Sequence, residues 1–388
     1  MSETRERGSR DRRARVRRGR RGQAVVVAAA VVAGLVAGFL GTSRTHTARA
    51  LGATTRTTAA AKPSPARTVL VAHIGAKHRL DLLAAAGVGA GGRVGSFVFV
   101  PTTTLVEVPS FDTQALLDVP RLGPSSLLAT TVANALGLHF DHVIVLSDAR
   151  LTSLLAPARR LDVTFGRSVQ IDDAAGTLSF TKGRARITAA DATRLILGSA
   201  AGGTLEHLVT VQDVLEGWFA RLHLKSIVRA TEKVMSASSS LVAIARAQLR
   251  YDTLPVDVLS SGSATRYELR QPDADRLLRA DFPHSLLSTG KRPRVEILNG
   301  TGAIALTQAV ARKIVPAGGE ITLTGNVPGF GVRHSSVVYY RRADLPAARK
   351  VAAALGVGTV ALGNVPIDVV DLTVVVGADF RTTRRSRP

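Results

Sequence analysis

The chain has 388 residues, no cysteine, and a formal net charge of +22. That length allows two or three folded units, and the apolar content is ample for real cores. The absence of cysteine excludes disulfides, thiolate zinc sites and a cysteine nucleophile.

The positive charge is concentrated in three segments. Residues 1–21 carry ten Arg against Glu3, Glu6 and Asp11; residues 41–68 add Arg44, Arg49, Arg56, Lys62 and Arg67; the last eight add Arg381, Arg384, Arg385 and Arg387. A nucleic-acid binder shows its basic stripe on a folded element, whereas this excess sits on tails. No nucleic-acid partner is expected, and no helix-turn-helix pattern is visible.

Residues 22–42, "GQAVVVAAAVVAGLVAGFLGT", contain no charge. At ~1.5 Å per residue they span roughly 30 Å, one bilayer core. The Arg block before them predicts a cytoplasmic N-terminus, with everything after residue 42 outside. A cleaved signal peptide is the competing reading, but no clean small-x-small site follows. Residues 1–21 are therefore read as a cytoplasmic basic tail, 22–42 as a transmembrane helix, and the aperiodic, proline-terminated stretch 43–67 as a flexible linker. The cell membrane is the expected location, spanned once.

From residue 68, strands and helices alternate. "TVLVAHI" (68–74) is a continuous apolar run suited to a buried strand. "RLDLLAAAGV" (79–88) fits strand or helix. "RVGSFVFV" (93–100) is a strand, followed by a loop with Thr102, Thr103 and Thr104 and then "LVEVP". "GPSSLLATTVANALG" (123–137) has helical spacing and a Gly stop. "HFDHVIVLS" (139–147) is a strand, "DARLTSLLAP" (148–157) a helix and "RLDVTF" (160–165) a strand. "TAADATRLILG" (188–198) opens with a Thr cap and an acidic first turn, and "TLEHLVTVQDVLEGWFARLHL" (204–224) is a longer helix. The pattern predicts an α/β/α layered domain with a central sheet.

"SFVFVPTTTLVEVP", "LLATTVANALGLHFDHVIVLSDARLTSLLAPARRLDVTF" and "ITAADATRLILG" resemble the LytR-CpsA-Psr family of cell-envelope proteins over about 68–220, with a looser continuation to about 283, so the domain is taken as 68–287. The resemblance implies a membrane-anchored domain that binds a polyprenyl pyrophosphate in a greasy groove. It also implies transfer of the attached glycopolymer to the cell wall with a divalent metal such as Mg²⁺. Such chemistry needs Arg and Lys on the pyrophosphate and carboxylates on the metal. At the positions where the family carries its arginines and loop aspartate, this chain has Thr102, Thr103, Leu197, Ser199, His207 and Thr210. What survives is Arg79 and Asp81 of "RLD". Arg79, Arg184 and Arg186 are the pyrophosphate-binding candidates and Asp81 a metal candidate. No catalytic residue is assigned.

Other polar groups have plain structural readings. Lys182, Arg184 and Arg186 also fit a solvated hairpin face. His139 and His142, three apart on a strand, would point to opposite faces and share no metal. Asp172 and Asp173 read as a turn.

"SIVRATEKVMSASSSLVAIARAQLR" (226–250) is mainly helical; "YDTLPVDVL" and "TRYELR" are strands and "DADRLLRADFP" a helix. After the linker "STGKRP" a second unit spans 293–380, with the order βαββαββ, followed by the basic tail 381–388. "RVEILNGTG" (294–302), "SSVVYYR" (335–341), "AARKVAAALG" (347–356) and "DLTVVVGADF" (371–380) closely resemble the LytR C-terminal domain of actinobacterial wall proteins. High Ala, Val, Arg and Gly agree with a GC-rich actinobacterial genome. The NGTG stretch (299–302) could cradle a phosphate on backbone N–H groups, but it lacks the Lys of a P-loop and the third Gly of a dinucleotide fingerprint, and a turn with Thr301 capping the next helix is the favoured reading. "GNVPGFGVRHSS" (325–336) is a Gly-rich loop presenting Phe330.

The expectation is a membrane-anchored, non-catalytic relative in cell-wall glycopolymer assembly, a pseudoenzyme that binds the lipid carrier, wall polymer or active family members. The alternative is an active Mg²⁺-dependent phosphotransferase with a rearranged clamp, which requires Arg79, Asp81, Arg184 and Arg186 to converge. A transcriptional regulator is disfavoured by the predicted topology.

Overall fold

The structure is a computed structural model that describes residues 68–380 except 76, 89–93, 174, 199–203, 223–226, 230–240, 242–243, 245–246, 261–264 and 365–368. The predicted span 22–42, the linker 43–67, both basic tails, Ser199 and most of the 226–250 stretch lie outside the described residues. Among the described residues, no helix is long and apolar enough to cross a membrane. The described chain divides into two compact units between Lys291 and Arg292.

The first unit opens with strands β1 (Thr68–Ile74), β2 (Leu80–Val88) and β3 (Val94–Phe99) and the hairpin β4 (Leu105–Val108) and β5 (Asp112–Ala115). Two helical turns, Leu116–Asp118 and Val119–Leu122, lead to helix α1 (Ser125–Leu136) and strand β6 (His142–Leu146). Then come α2 (Asp148–Leu155), β7 (Arg160–Phe165), β8 (Val169–Asp173), β9 (Gly176–Phe180), β10 (Gly183–Thr188), α3 (Ala189–Leu197) and α4 (Thr204–Phe219). Strands β11 (Gln248–Thr253), β12 (Val256–Ser260) and β13 (Arg266–Leu269) and helix α5 (Gln271–Asp281) complete it.

The central sheet has the order β11-β3-β2-β1-β6. β1 runs parallel to β6 and β11 parallel to β3, while β2 is antiparallel to both neighbours. Both faces are covered, which is why β1 reads as an unbroken apolar run. Val69 and Val71 pack on one side with Leu151 of α2, Leu195 of α3 and Trp218 of α4. Leu70 and Ala72 pack on the other with Leu127 and Leu128 of α1 and Leu278 of α5. Phe97, Phe99, Phe219 and Tyr251 form a tilted and edge-to-face aromatic cluster on the first side, a geometry favoured by the ring quadrupoles.

Local signals explain the boundaries. α1 stops at Gly137 with φ 64°, a left-handed cap. Thr188 and Asp191 form a reciprocal capping box at the start of α3. Residues 80–88, open to either reading, form strand β2. The strand expected over 139–147 starts only at His142, because the main chain before it is occupied: His139 N donates to Ser285 O and Asp141 N to Thr68 O. His139 therefore lies before the strand, and the opposite-face argument does not apply to it. Asp172 and Asp173 are not in the turn but end strand β8, where Arg194 grips the Asp173 carboxylate with two bonds of 2.8 Å.

In the second unit the order is β14 (Arg294–Asn299), α6 (Leu306–Ile314), β15 (Glu320–Asn326), β16 (Ser336–Tyr339), α7 (Leu345–Leu355), β17 (Thr359–Leu362) and β18 (Leu372–Val376). Its sheet runs β15-β14-β18-β16-β17, and only the β16–β18 pair is antiparallel. Val295, Ile297, Val310, Ile314, Val351 and Val374 are buried. A polar chain is also buried: Tyr340 Oη lies 2.7 Å from Thr373 Oγ1, which donates to Glu296 at 2.9 Å. Burial pushes the Glu296 carboxyl up, opposed by the Thr373 bond.

Candidate functional site

The carboxyl ends of β1 and β6 run side by side, with His73 opposite Leu146. Ligands in α/β sheets favour such ends. Ser147 caps α2 by accepting a bond from Arg150 N at 3.4 Å, which sets Asp148 in the first helical turn. Across the sheet, the pairing of β1 with β2 jumps a residue, from His73 with Leu82 to Ile74 with Leu80. The skipped residue is Asp81.

These offsets bring His73, Asp81 and Asp148 together. His73 Nε2 lies 3.0 Å from Asp148 Oδ1 and Nδ1 lies 3.4 Å from Asp81 Oδ2. Neither approach follows the ring's hydrogen-bond direction, so both ring nitrogens lie close to a carboxylate without a hydrogen bond. The imidazole is 0% exposed, while the two carboxylates are 40% and 51% exposed. Gly75 makes room for them: a Cβ there would collide with Asp81 Oδ2 and lie 3.8 Å from Asp148 Oδ1.

His207, in the first turn of α4, lies near enough to feel the charge of Asp81. Burial depresses its pKa, opposed by the Ile196 carbonyl 3.0 Å from Nε2 and by Asp81. It is thus neutral at neutral pH, and its Nδ1 is buried without a hydrogen bond. Thr210, one turn on, is fully buried.

The threonine loop is closed. Thr104 N donates to Pro101 O, and the carbonyls of Thr102, Thr103 and Thr104 accept from Leu117, Tyr267 and Leu116 at 2.7, 3.3 and 3.0 Å. Thr102 and Thr104 are buried, and the hydroxyls of Thr103 and Thr104 face inward without partners.

The sequence-predicted cations do not gather at one place. Arg79 is exposed in the turn before β2, beside the His73 cluster in sequence. Arg184 and Arg186 are exposed on β10, with Arg186 paired opposite Asp162 of β7 and 3.8 Å from its carboxylate. Asp162 also meets Arg221 at 3.8 Å, and a Cβ on Gly217 would lie 2.8 Å from its carbonyl. The Arg186 pair therefore flanks the far end of α4, while Asp81 lies by His207 at its start. Ten residues of helix between 207 and 217 amount to roughly 15 Å.

Mg²⁺ prefers an octahedron of oxygens at about 2.0–2.1 Å. Here an imidazole stands between the two carboxylates, and among the described residues no group of three His, Asp or Glu side chains is disposed to hold a metal. The residues do not fit that ion. What the cluster presents outward is carboxylate oxygen over a buried ring, with no arginine or lysine among its three members to meet a phosphate. Sequence reasoning missed His73 and Asp148: the first lies inside a core-like apolar run, the second at a helix start 75 positions later.

A family model described as "LytR cell envelope-related transcriptional attenuator" matches residues 292–380. Among solved structures, TagV of B. subtilis superposes with a TM-score of 0.50 at 12% identity, covering 58% of this chain and 100% of TagV. A LytR-Csp2A-Psr enzyme from Actinomyces oris gives a TM-score of 0.44 at 15% identity, covering 56% of this chain and 90% of that one. The LytR-CPS2A-psr family protein YwtF (TagT), with bound octaprenyl pyrophosphate lipid, gives 0.45 at 13% identity, covering 58% and 95%. No curated protein sequence matches the chain. Residues 292–380 thus match the LytR C-terminal family, and the part before them shares the fold of TagV.

Proposed function

We propose that this chain is a non-catalytic LytR-CpsA-Psr relative, held in the cell membrane by residues 22–42 with its folded units outside. It serves cell-wall glycopolymer assembly as a module that binds the lipid carrier, the polymer or active members of the family. The resemblance in 68–220, the fold shared with TagV and the LytR C-terminal domain support the envelope assignment.

The observation that carries the non-catalytic reading is the loss of cations from the expected clamp. Transfer from a pyrophosphate leaves charge that must be neutralised. At the four described clamp positions stand Thr102, Leu197, His207 and Thr210; none carries a positive charge, His207 because burial keeps it neutral. The two carboxylates beside His73 would repel a pyrophosphate rather than hold it.

The test is a thermal-shift titration of the full chain with a polyprenyl pyrophosphate, with and without Mg²⁺, alongside a transfer assay. A ligand at one hundred times its Kd stabilises the native state by about 2.7 kcal/mol. The expected result is no glycopolymer transfer and no Mg²⁺ dependence of the shift. Metal-dependent transfer would overturn the proposal in favour of an active phosphotransferase.

A further inference from the structure

At the carboxyl end of β14 and β15, two loops of the second unit lie against each other. The first, residues 300–305, is organised by the buried Asn299. Its Oδ1 accepts from Thr301 N, Thr301 Oγ1 and Gly302 N at 3.0, 3.2 and 3.1 Å, and its Nδ2 donates to Ala303 O at 2.9 Å. Asn299, not Thr301, therefore sets this turn: Thr301 Oγ1 accepts from Ala303 N, and helix α6 begins only at Leu306 with Ala305 before it. The predicted capping role of Thr301 is corrected accordingly.

The second loop, 327–335, is pinned at several points. Val327 N donates to Asn299 O, Val332 N to Gly300 O, Ala378 N to Val332 O and Asp379 N to Arg333 O, at 2.9 to 3.1 Å. Gly300 has no room for a side chain, since a Cβ would lie 2.5 Å from that of Val332.

On this rigid frame Phe330 stands at φ 51°, between Gly329 at 77° and Gly331 at 80°. A bulky residue in the left-handed region is strained by about 1 kcal/mol or more. The strain is not repaid by burial: the ring rests on Gly302, at 3.5 Å from a Cβ placed there, yet Phe330 is 47% exposed. Ile304, on the other loop, is 86% exposed. A strained aromatic held outward on a fixed backbone points to a ligand.

Size and chemistry decide which. The two side chains expose on the order of 250 Å² together, far below the roughly 800 Å² per partner of a stable protein interface. The area suits one or two sugar rings, whose axial C–H groups stack on an aromatic face. Arg333, exposed, follows on the same loop and supplies charge complementary to an anionic chain. We propose that Phe330 and Ile304 form a saccharide-stacking platform for an anionic wall glycan. This assignment rests on the envelope reading proposed above and names the surface that would meet the polymer.

The experiment is co-sedimentation of the full chain with purified, protein-free wall sacculi. Phe330→Asn is the informative variant, because Asn accepts the left-handed backbone and so removes the ring without disturbing the loop. The expected result is a loss of at least five-fold for Phe330→Asn at an unchanged melting temperature. Phe330→Tyr should retain binding, Arg333→Ala should weaken it most at low salt, and solubilised sugar fragments of the same sacculi should compete. Equal sedimentation of wild type and Phe330→Asn overturns the proposal. So does a large fall in melting temperature for Phe330→Asn, which would make the ring a packing element, or binding that the solubilised fragments cannot displace.

Discussion

Two loops leave the carboxyl ends of strands in this chain and end up with opposite characters. The loop 101–104 after β3 and the loop 327–335 after β15 are both fixed by backbone hydrogen bonds to distant segments. In the first, the side chains turn inward and Thr102 and Thr104 are buried. In the second, three successive left-handed residues turn Phe330 outward. Rigidity is common to both, so rigidity at a strand end does not make a site. What distinguishes them is the direction that local dihedrals give to the side chains.

The largest test of that contrast puts the same charge on each loop. Thr102→Arg forces a guanidinium into a buried position and should cost about 2–4 kcal/mol. Phe330→Arg, on the open loop, should cost under ~1 kcal/mol. Chemical denaturation of the two variants measures the gap, and equal costs would mean that the first loop opens readily.

Next in size is Asn299→Ala. It strips the amides of Thr301 and Gly302 of their acceptor and should cost about 2–3 kcal/mol. The loss should appear as faster hydrogen exchange at those two amides. Unchanged exchange would show that the main chain alone holds the platform.

The closed region also protects a carboxyl group. Glu107 on β4 is pushed up to about 7, first by burial and then by the charge of Asp112, against a bond from Thr113. Because its folded pKa lies above the ordinary value, the fold holds the proton more tightly than the unfolded chain. Glu107's contribution to stability is therefore fully present below pH ~4.5 and is lost as pH rises through ~7. Glu107→Gln should remove this slope and exceed wild type at pH 8 by about 1–2 kcal/mol, after allowance for partial exposure. A pH series of denaturant midpoints reads it. The smallest effect is Phe330→Asn, expected within ~0.5 kcal/mol of wild type, by the same denaturation.

Much of the fold is legible in the sequence because the signals are local. The apolar run of β1, the Gly stop after α1, the Thr188 cap of α3 and the alternation of the second unit each act over a few residues. The polar hairpin of β8 and β9 is not legible: "VQIDD" and "GTLSF" are short, largely exposed strands whose geometry is stabilised by Arg194 from a helix about twenty positions on. The His73 cluster is illegible for a stronger reason. Its members are spread over 134 positions, and only the parallel pairing of β1 with β6 and a one-residue slip in β2 bring three of them together. The resemblance read from the sequence points to the positions where arginines are expected, but not to the histidine that lies beneath the two carboxylates.

The pinning of the 327–335 loop bears on how this module could be moved between proteins. Asp379 accepts from Ser335 N and Oγ, at 2.9 and 2.6 Å, while its own amide and that of Ala378 bind back to the loop. The last sheet strand ends at Val376, so a transplant trimmed to its secondary structure would keep every strand and helix. It would nevertheless discard the clasp that holds the aromatic loop. A graft carried through Phe380 keeps the clasp, and the few residues after the final strand are as much part of the module as its core.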